Sequence, residues 1–406
     1  PYAHNHSYKQ NVLGVAMFSR QRSLLAFIFC LTICTAVACA QDNQVRINEI
    51  QVIGTHNSYH AGLTPSTAKL LQEKNPKAFD ALNYRHPSLT RQLDEGVRQL
   101  EIDVFADTKG GLYAHPYSEK MVAAAGLPPD PPYDQNGVMD KPGFKVLHVE
   151  DIDQRSVCEP FIACLAQVRA WSKVHPRHLP IFLLIETKQS PLKVDFPSVQ
   201  PEPFTPEVFD ALDNEIRSVF PTDELITPDD VRGRYPTLNA AARAGQWPTL
   251  AEARGKVIFL MDQRPMEAVY TQGHPSLRGR ILFTNGTPGQ PDAAFTEAND
   301  ATRKAINKLV REGYLVRTRT DANTVQARMN DTTRRDAVMK SGAQMLSTDY
   351  PRGEAAPSGF VVAFPGGAMA RCNPVLKVPG CVDALLSRSS KRAGYRRGDI
   401  GASSAK

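Results

Sequence analysis

The chain has 406 residues, of which 42% are hydrophobic and 8% aromatic, so it is long enough for one large α/β barrel or two smaller domains and is not an intrinsically disordered protein. The formal net charge of +6 lies at the two ends, because three basic residues and no acid fall in the first forty residues and the tail 387–406 holds six basic residues against one acid. The body between them is close to neutral, which argues against a nucleic-acid partner.

An apolar segment lies near the start of the chain. Met17 is followed by two arginines and then by the apolar run 24–38, which ends in small residues. This order predicts a secretory signal peptide that starts at Met17, so that 1–40 is an upstream extension plus leader and the mature protein is secreted. Two alternatives stay open, namely an uncleaved membrane anchor and a lipoprotein with its lipid on Cys39.

The cysteine count agrees with export. Three of the seven cysteines lie in the leader, and the remaining four are an even number, as expected for disulfides formed in an oxidising compartment. Pairing of neighbours, Cys158 with Cys164 and Cys372 with Cys381, is the simplest of three possible connectivities. No C-x-x-C spacing occurs, so a metal site built from these cysteines is disfavoured.

After the leader, short β-rich runs alternate with helical patterns, which is typical of βα units around a parallel sheet. The eight predicted strands are 50–55, 98–105, 144–149, 180–186, 256–261, 280–284, 314–319 and 344–348. Helices are predicted at 161–174, 204–219 and 292–311 from apolar residues at helical spacing. Eight alternations predict an α/β fold, a (β/α)₈ barrel of the TIM type, over residues 41–351.

Three segments fall outside the βα pattern. The Pro-rich excursion 113–143 would lie on the rim that carries chemistry in such barrels, where it is either a substrate lid or a structured loop. Residues 352–386 are predicted to form an irregular Pro/Gly-rich extension packed on the barrel. The basic tail 387–406 is predicted to be disordered.

Imidazoles follow two of the predicted strands at their C-terminal ends, which converge on one mouth in a (β/α)₈ barrel. His56 and Asn57 come directly after the first strand, and His148 ends the third. A lone histidine at such a place is more often structural than catalytic. Two at the same rim fit the two proton transfers of a phosphodiester displacement.

Carboxylates follow the strands between and beside these imidazoles. Glu101 and Asp103 alternate along the second strand and therefore point to the same side, and Glu186 ends the fourth strand. Carboxylates on one inward face repel one another unless a cation lies between them, and hard oxygen ligands suit calcium or magnesium. A salt-bridged rim is the alternative, disfavoured because buried charges are costly unless matched.

These residues carry a family resemblance. The motifs that carry it are Gly-Thr-His-Asn-Ser at 54–58, Leu-Glu-Ile-Asp at 100–103, the segment ending at His148, Leu-Ile-Glu at 184–186, and the segments 317–321 and 347–350. Together they resemble the phosphoinositide-specific phospholipase C superfamily, most closely its secreted, calcium-dependent microbial branch. The resemblance spans the predicted barrel.

The resemblance implies that His56 assists attack by the inositol 2-hydroxyl and that His148 is the general acid toward diacylglycerol. The implied calcium ligands are Asn57, Glu101, Asp103 and Glu186. Lys188 and Arg319 are interpreted as ligands of the phosphate or of inositol hydroxyls. Asp349, which follows the eighth strand and thus neighbours the first, is interpreted as the residue that orients His56.

His115 is the rival for the general acid, because it too follows an apolar pair. His148 is preferred, since it ends a better strand, whereas His115 precedes a proline in the long loop, where histidines are more often surface residues.

Two other functions compete with a phospholipase. A glycerophosphodiester phosphodiesterase also uses a Glu-x-Asp pair but attacks with water, and that family typically follows its first histidine with Arg-Gly, where this chain has Asn57-Ser58. A secreted phosphodiester-binding protein with a dead site is disfavoured because both imidazoles and all candidate ligands are present. The expected protein is a monomer whose phosphoinositide substrate is reached by transient contact of the rim, chiefly of 113–143, with a membrane surface.

Overall fold

The computed structural model describes residues 40–387. The predicted leader, with its start at Met17 and its cysteine at position 39, and all but the first residue of the predicted basic tail lie outside the described residues. Within 40–387, no helix is both long enough and apolar enough to cross a membrane.

Eight parallel strands form a nearly closed barrel, which confirms the predicted fold. The barrel strands are β1 (Ile50–Thr55), β2 (Gln99–Phe105), β3 (Ile181–Lys188), β4 (Val257–Met261), β5 (Leu282–Phe283), β6 (Phe295–Glu297), β7 (Leu315–Arg319) and β8 (Met345–Thr348). Their spatial order is β5-β4-β3-β2-β1-β8-β7-β6. A parallel bridge from Asn285 to Phe295 links the two ends of this order and all but closes the barrel. A short ninth strand, β9 (Ala370–Cys372), lies off this path.

One predicted strand and one predicted helix are wrong. The two errors offset each other, so the number of barrel strands is still eight. The predicted strand 144–149 makes only isolated antiparallel bridges, one of them between Lys145 and Phe105. It cannot enter the barrel, because β2 pairs directly with β3 along its whole length. The eighth strand is instead β6, which lies inside the predicted helix 292–311, and the helix there begins only at Arg303.

Helices occupy most of the connections between the strands. They are α1 (Pro65–Lys74), α2 (Pro76–Leu82), α3 (Leu89–Asp94), α4 (Ser118–Ala124), α5 (Phe161–Val174), α6 (Pro206–Val219), α7 (Pro228–Arg232), α8 (Leu238–Arg243), α9 (Leu250–Ala253), α10 (Glu267–Tyr270), α11 (Arg303–Arg311), α12 (Val325–Met329), α13 (Thr333–Met339) and α14 (Asp383–Leu386). Short 3₁₀ turns lie at Ile47–Glu49, Thr222–Glu224, Arg264–Met266, Pro275–Leu277 and Pro365–Gly367. In α5, Phe161, Leu165 and Val168 are buried at helical spacing, so this helix packs one apolar face on the barrel.

The segment after β8 returns to the start of the barrel. There β9 pairs antiparallel with β1, with Ile50 opposite Cys372. Both predicted disulfides are present, Cys158 with Cys164 and Cys372 with Cys381. The second closes the loop that follows β9, so the covalent link lies next to the first barrel strand.

Candidate active site

Strand register brings the predicted site residues together at the C-terminal ends of the strands. Thr55 of β1 pairs with Thr348 of β8, so the residues that follow them, His56 and Asp349, become neighbours. On the other side of β1, Asp103 of β2 is directly opposite Glu186 of β3. In-register pairing of parallel strands thus places His56 beside Asp349 and Asp103 beside Glu186.

The His56 imidazole has a partner of fixed polarity at each nitrogen. Its Nδ1 lies 2.7 Å from Asp349 Oδ1, and a carboxylate can only accept, so Nδ1 carries the proton. Its Nε2 lies 3.1 Å from Arg319 Nη1, which can only donate, so Nε2 presents its lone pair. Burial, followed by the charge of Arg319, lowers the pKa of His56 well below 6.5. The side chain is therefore a neutral imidazole with its basic nitrogen in the mouth.

Asn57 adopts the left-handed conformation with φ 45°, which asparagine tolerates better than most residues. Its amide nitrogen donates to the Tyr84 hydroxyl at 2.8 Å, and this fixes the opposite direction of its carbonyl oxygen. That oxygen, Oδ1, is buried and has no hydrogen-bond partner among the described residues. A buried acceptor without a donor is costly, so its position suits a cation.

The three predicted carboxylates converge. One oxygen each of Glu101, Asp103 and Glu186 lies within 4.8 Å of the other two. Burial raises the pKa of Glu101 to about 7, against the opposing charge of Arg317. Burial, followed by the charge of Glu186, raises the pKa of Asp103 well above 3.8. Burial disfavours the charged form of both carboxylates, and a cation beside them would favour that form again.

Two basic side chains offset part of this negative charge. Lys188 Nζ lies 3.2 Å from Asp103 Oδ2 and 3.2 Å from Glu186 Oε1. Arg317 is buried and pairs with Glu101. Lys188, predicted as a substrate ligand, therefore lies against two of the predicted metal ligands.

The donor set fits calcium. Asn57 Oδ1 and the carboxylates of Glu101, Asp103 and Glu186 offer oxygen only, which is what a hard divalent cation requires. The unpartnered amide oxygen and the raised carboxylate pKa values are the two features that such a cation would satisfy.

His148 lies outside the barrel strands, in the turn that follows 144–147, and its side chain is 17% exposed. Its Nδ1 lies 2.9 Å from Asp153 Oδ2. Burial lowers the pKa of His148, and the hydrogen bond with Asp153 opposes this shift. The His148 ring centroid lies 5.4 Å from that of His60, the His60 ring lies 4.6 Å from Tyr84, and Tyr84 lies 6.1 Å from His56, so contiguous rings connect the two imidazoles. His115 is exposed.

Several site residues were not predicted from the sequence. Asp262 directly follows β4, so the rule applied to the first four strands would have found it. Glu297 ends β6, which is too short to be recognised, and its Oε1 lies 3.3 Å from Arg317. Asp153 and Tyr84 come from loops and carry no signal in the local sequence.

The extension after β8 contributes to the site as well. Glu354 Oε2 lies 2.6 Å from His86 Nδ1, and His86 Nε2 lies 3.0 Å from the backbone oxygen of His56. Because the carbonyl only accepts, His86 donates to it. A carboxylate from the extension thereby anchors the backbone of the central imidazole.

Comparison with known proteins agrees with this geometry. Residues 45–374 match the family model described as phosphoinositide phospholipase C, Ca²⁺-dependent. The fold is similar to that of a calcium-dependent phosphoinositol-specific phospholipase C from Pseudomonas sp, with 17% identity over 82% of this chain and 96% of that chain and a TM-score of 0.50. A calcium-dependent phosphatidylinositol-specific phospholipase C from Streptomyces antibioticus has 18% identity over 75% of this chain and 95% of that chain, with a TM-score of 0.47. No curated protein matched.

The family match covers most of the chain, and it spans every strand of the barrel and every residue of the predicted calcium site. The solved structure at 17% identity supports the fold. The chain therefore belongs to the Ca²⁺-dependent phosphoinositide phospholipase C family, a family of phosphodiesterases.

Proposed function

We propose that the chain cleaves phosphatidylinositol to diacylglycerol and an inositol phosphate, cyclic when first released, by general acid and base catalysis with two histidines. The observation that carries the proposal is the convergence of Glu101, Asp103 and Glu186 at the barrel mouth, with His56 Nε2 3.7 Å from Glu101 Oε1. Cation ligands and a basic nitrogen lie close enough to act on one phosphodiester.

Four oxygen-bearing residues hold the calcium ion in this proposal. They are Asn57, Glu101, Asp103 and Glu186. When bound, calcium supplies positive charge for the phosphoryl oxygens and for the attacking hydroxyl.

His56 is the general base. Its Nε2 accepts the proton of the inositol 2-hydroxyl as that oxygen bonds to phosphorus. Asp349 accepts the Nδ1 hydrogen bond at 2.7 Å, which stabilises the imidazolium that results. Asp349 thus acts as the residue that orients His56. The guanidinium of Arg319 lies 3.1 Å from Nε2. When substrate binds, Arg319 donates to the phosphate instead, and Nε2 is left free to accept the proton of the hydroxyl.

His148 is the general acid. It protonates the oxygen of diacylglycerol as the bond from that oxygen to phosphorus breaks. Its partial exposure supports this role, because the leaving group must reach it. Lys188, at the edge of the carboxylate group, carries a second positive charge with which the phosphate can pair.

Contact with the membrane is assigned to the loops at the mouth. Large apolar side chains are exposed there at Val194 after β3 (38%) and at Val325 and Met329 of α12 after β7 (37% and 65%). The loop 113–143, where the sequence predicts this contact, is fully described and has none. Exposed apolar groups beside a lipid-cleaving site favour transient insertion at a bilayer surface.

Secretion remains a proposal that rests on the leader sequence. The two disulfides support it, since such bonds form and persist in oxidising compartments. Activity as a monomer is likewise proposed.

The activity is tested by incubating purified protein with phosphatidylinositol, with and without a calcium chelator, and identifying the phosphorus-containing products by NMR. Inositol cyclic phosphate formed only with calcium is the expected result. Glycerophosphate from a deacylated diester, with no turnover of the lipid, would identify a glycerophosphodiester phosphodiesterase. No product from either substrate would indicate a binding protein.

The acid assignment is tested by comparing His148→Ala with His115→Ala. Loss of turnover is expected for the first variant only, because His115 is exposed in the long loop. The reverse pattern would transfer the acid role to His115.

A further inference from the structure

Asp153 lies between two imidazoles. His60 Nε2 is 2.8 Å from Asp153 Oδ2 and 2.9 Å from Oδ1, and His148 Nδ1 is 2.9 Å from Oδ2. His60 and Asp153 are buried, whereas His148 is partly exposed. The carboxylate therefore joins an imidazole of the interior to one that a substrate can reach.

The backbone fixes Asp153 relative to His148. The amide of Asp153 donates to the Val149 carbonyl at 2.9 Å, and the Val149 amide donates to the Asp153 carbonyl at 3.0 Å. The amide of His148 donates to the same carbonyl at 3.2 Å. These bonds close the turn from 148 to 153, so the carboxylate and the imidazole are held together before substrate arrives.

The partners of His60 determine where the protons are. Its Nδ1 is buried and has no hydrogen-bond partner in the described part of the chain. A proton at Nδ1 would therefore be an unsatisfied buried donor, so His60 is neutral and protonated at Nε2. Asp153 accepts a hydrogen bond from Nε2 of His60 and another from Nδ1 of His148. The free nitrogen of His148 is then Nε2.

A metal ion is the other reading of this group, because one ligand atom each of His60, His148 and Asp153 lies within 4.8 Å of the others. The surroundings of His60 argue against a metal ion at this position. Bound to a metal through Nε2, it would carry its proton on Nδ1, where none of the residues 40–387 offers an acceptor. Histidine ligands of metals almost always donate that second hydrogen to a partner.

We propose that Asp153, held in place by His60, is a positioning residue that keeps one proton of His148 on Nδ1. In the imidazolium form of His148, the second proton is then on Nε2 and faces the departing alcohol oxygen. This inference rests on the proposed function. As the bond from phosphorus to that oxygen breaks, the Nε2 proton of the imidazolium moves to the oxygen, and His148 is left neutral with its remaining proton on Nδ1, hydrogen-bonded to Asp153. The carboxylate remains ionised throughout.

The charge of Asp153 also affects the protonation of His148. Burial lowers the pKa of His148, whereas the hydrogen bond and the charge of Asp153 raise it. Replacing Asp153 by asparagine removes the favourable influence and lowers the pKa of His148. The alkaline limb of the pH profile, where the acid loses its proton, should then move to lower pH.

The test compares two leaving groups. Asp153→Asn is assayed on phosphatidylinositol and on an inositol phosphodiester of 4-nitrophenol, whose leaving group departs without a proton. We expect kcat on the lipid to fall about a hundredfold and kcat on the nitrophenyl ester to change by less than about threefold. KM should change little for either substrate. The alkaline limb on the lipid should move to lower pH.

Two further variants separate positioning from folding. Asp151→Asn is the matched structural control, because Asp151 lies in the same turn and accepts hydrogen bonds from the amides of Tyr117 and Val199. We expect it to affect both substrates equally. His60→Gln, whose amide can still donate to Asp153, should retain most of the activity that His60→Ala loses on the lipid.

Nitrogen NMR of the wild-type protein gives a readout that does not depend on any variant folding. A neutral His148 protonated at Nδ1 is expected, and one protonated at Nε2 would overturn the inference. Equal loss by Asp153→Asn on both substrates, or no loss on the lipid, would overturn it as well while leaving the proposed function intact. A wild type that cleaves neither substrate with calcium present would overturn both.

Discussion

The ammonium of Lys188 lies 3.2 Å from Asp103 Oδ2, within the group of carboxylates assigned to calcium. Two cations cannot occupy the same carboxylates without strong repulsion. Calcium binding must therefore displace the ammonium, and the free energy of the ion pair is subtracted from the affinity for calcium.

Replacement of Lys188 by methionine should tighten calcium binding. The long apolar side chain keeps the packing of the lysine stem but removes the competing charge. At the effective dielectric of a protein surface, an expected gain of at least about tenfold in affinity follows from the loss of one unit charge a few ångströms away. Titration calorimetry of the calcium-free protein measures it directly.

The matched control is Lys193→Met. Lys193 is exposed in the segment that follows β3, and its substitution should leave the affinity for calcium unchanged. Weaker binding by the Lys188 variant would mean that the ammonium organises the carboxylates for calcium instead of competing with it.

The stability of the barrel should fall in mild acid because of His178. This residue is fully buried, with Nδ1 2.6 Å from the Leu179 carbonyl and Nε2 2.8 Å from Ser172 Oγ, and burial lowers its pKa to about 4. In the unfolded chain the pKa of His178 has its ordinary value of 6.5. Below pH 6.5 the unfolded state therefore binds a proton at His178 that the folded state does not bind. Up to about 3 kcal/mol of unfolding free energy should be lost between pH 6.5 and 4, with no further loss below.

Urea unfolding at pH 7 and pH 5 tests this linkage in the His178→Gln variant, which retains one donor and one acceptor. Its stability should fall less over this interval than that of the wild type. His115→Gln, at an exposed position, is the control and should keep the full dependence on pH. Identical slopes in all three proteins would assign the loss to other groups.

Glu354 should influence turnover although it lies in the extension beyond β8. It holds His86, and His86 donates to the backbone oxygen of His56. Glu354→Ala frees His86 to turn, and small displacements of a catalytic base are costly, so kcat should fall by about tenfold with little change in KM. Steady-state assays on a soluble inositol phosphodiester separate the two constants.

The control for that substitution is Glu312→Ala, which removes a carboxylate that lies 3.5 Å from the ammonium of Lys308 on α11. It should leave kcat unchanged. If Glu354→Ala also has no effect, the hydrogen bond that the His56 amide donates to the Thr348 carbonyl at 3.0 Å is by itself sufficient to hold the base.

Local sequence predicted the parts of this molecule that depend on local periodicity. Glu101 and Asp103 could be assigned to one face because a strand has a period of two, and the strands of five or more residues were all predicted. Segment 144–149 is also rich in apolar and β-branched residues, yet it lies outside the barrel, because pairing partners are set by contacts distant in sequence. β6 has three residues, too few to show any period.

The position of His148, the second imidazole, could likewise not be predicted from local sequence. His148 was selected as the end of a strand that does not exist, and its position depends instead on a turn closed by Val149 and Asp153. His60 and Asp153 are 93 residues apart, and no local pattern relates them. Asp349 could be related to His56 only because a closed barrel makes its first and last strands neighbours.

Membrane contact should depend on α12. Val325 and Met329 are exposed at the mouth, and transferring them from water into lipid contributes about 0.8 kcal/mol for each buried CH₂ group. Serine at both positions should weaken binding to phosphatidylinositol vesicles by at least about tenfold in sedimentation assays, since most of that area is lost. Ile162 and Val174 on α5 are similarly exposed, and serine at both should leave binding unchanged. Equal losses from the two pairs would exclude the mouth as the membrane-facing surface.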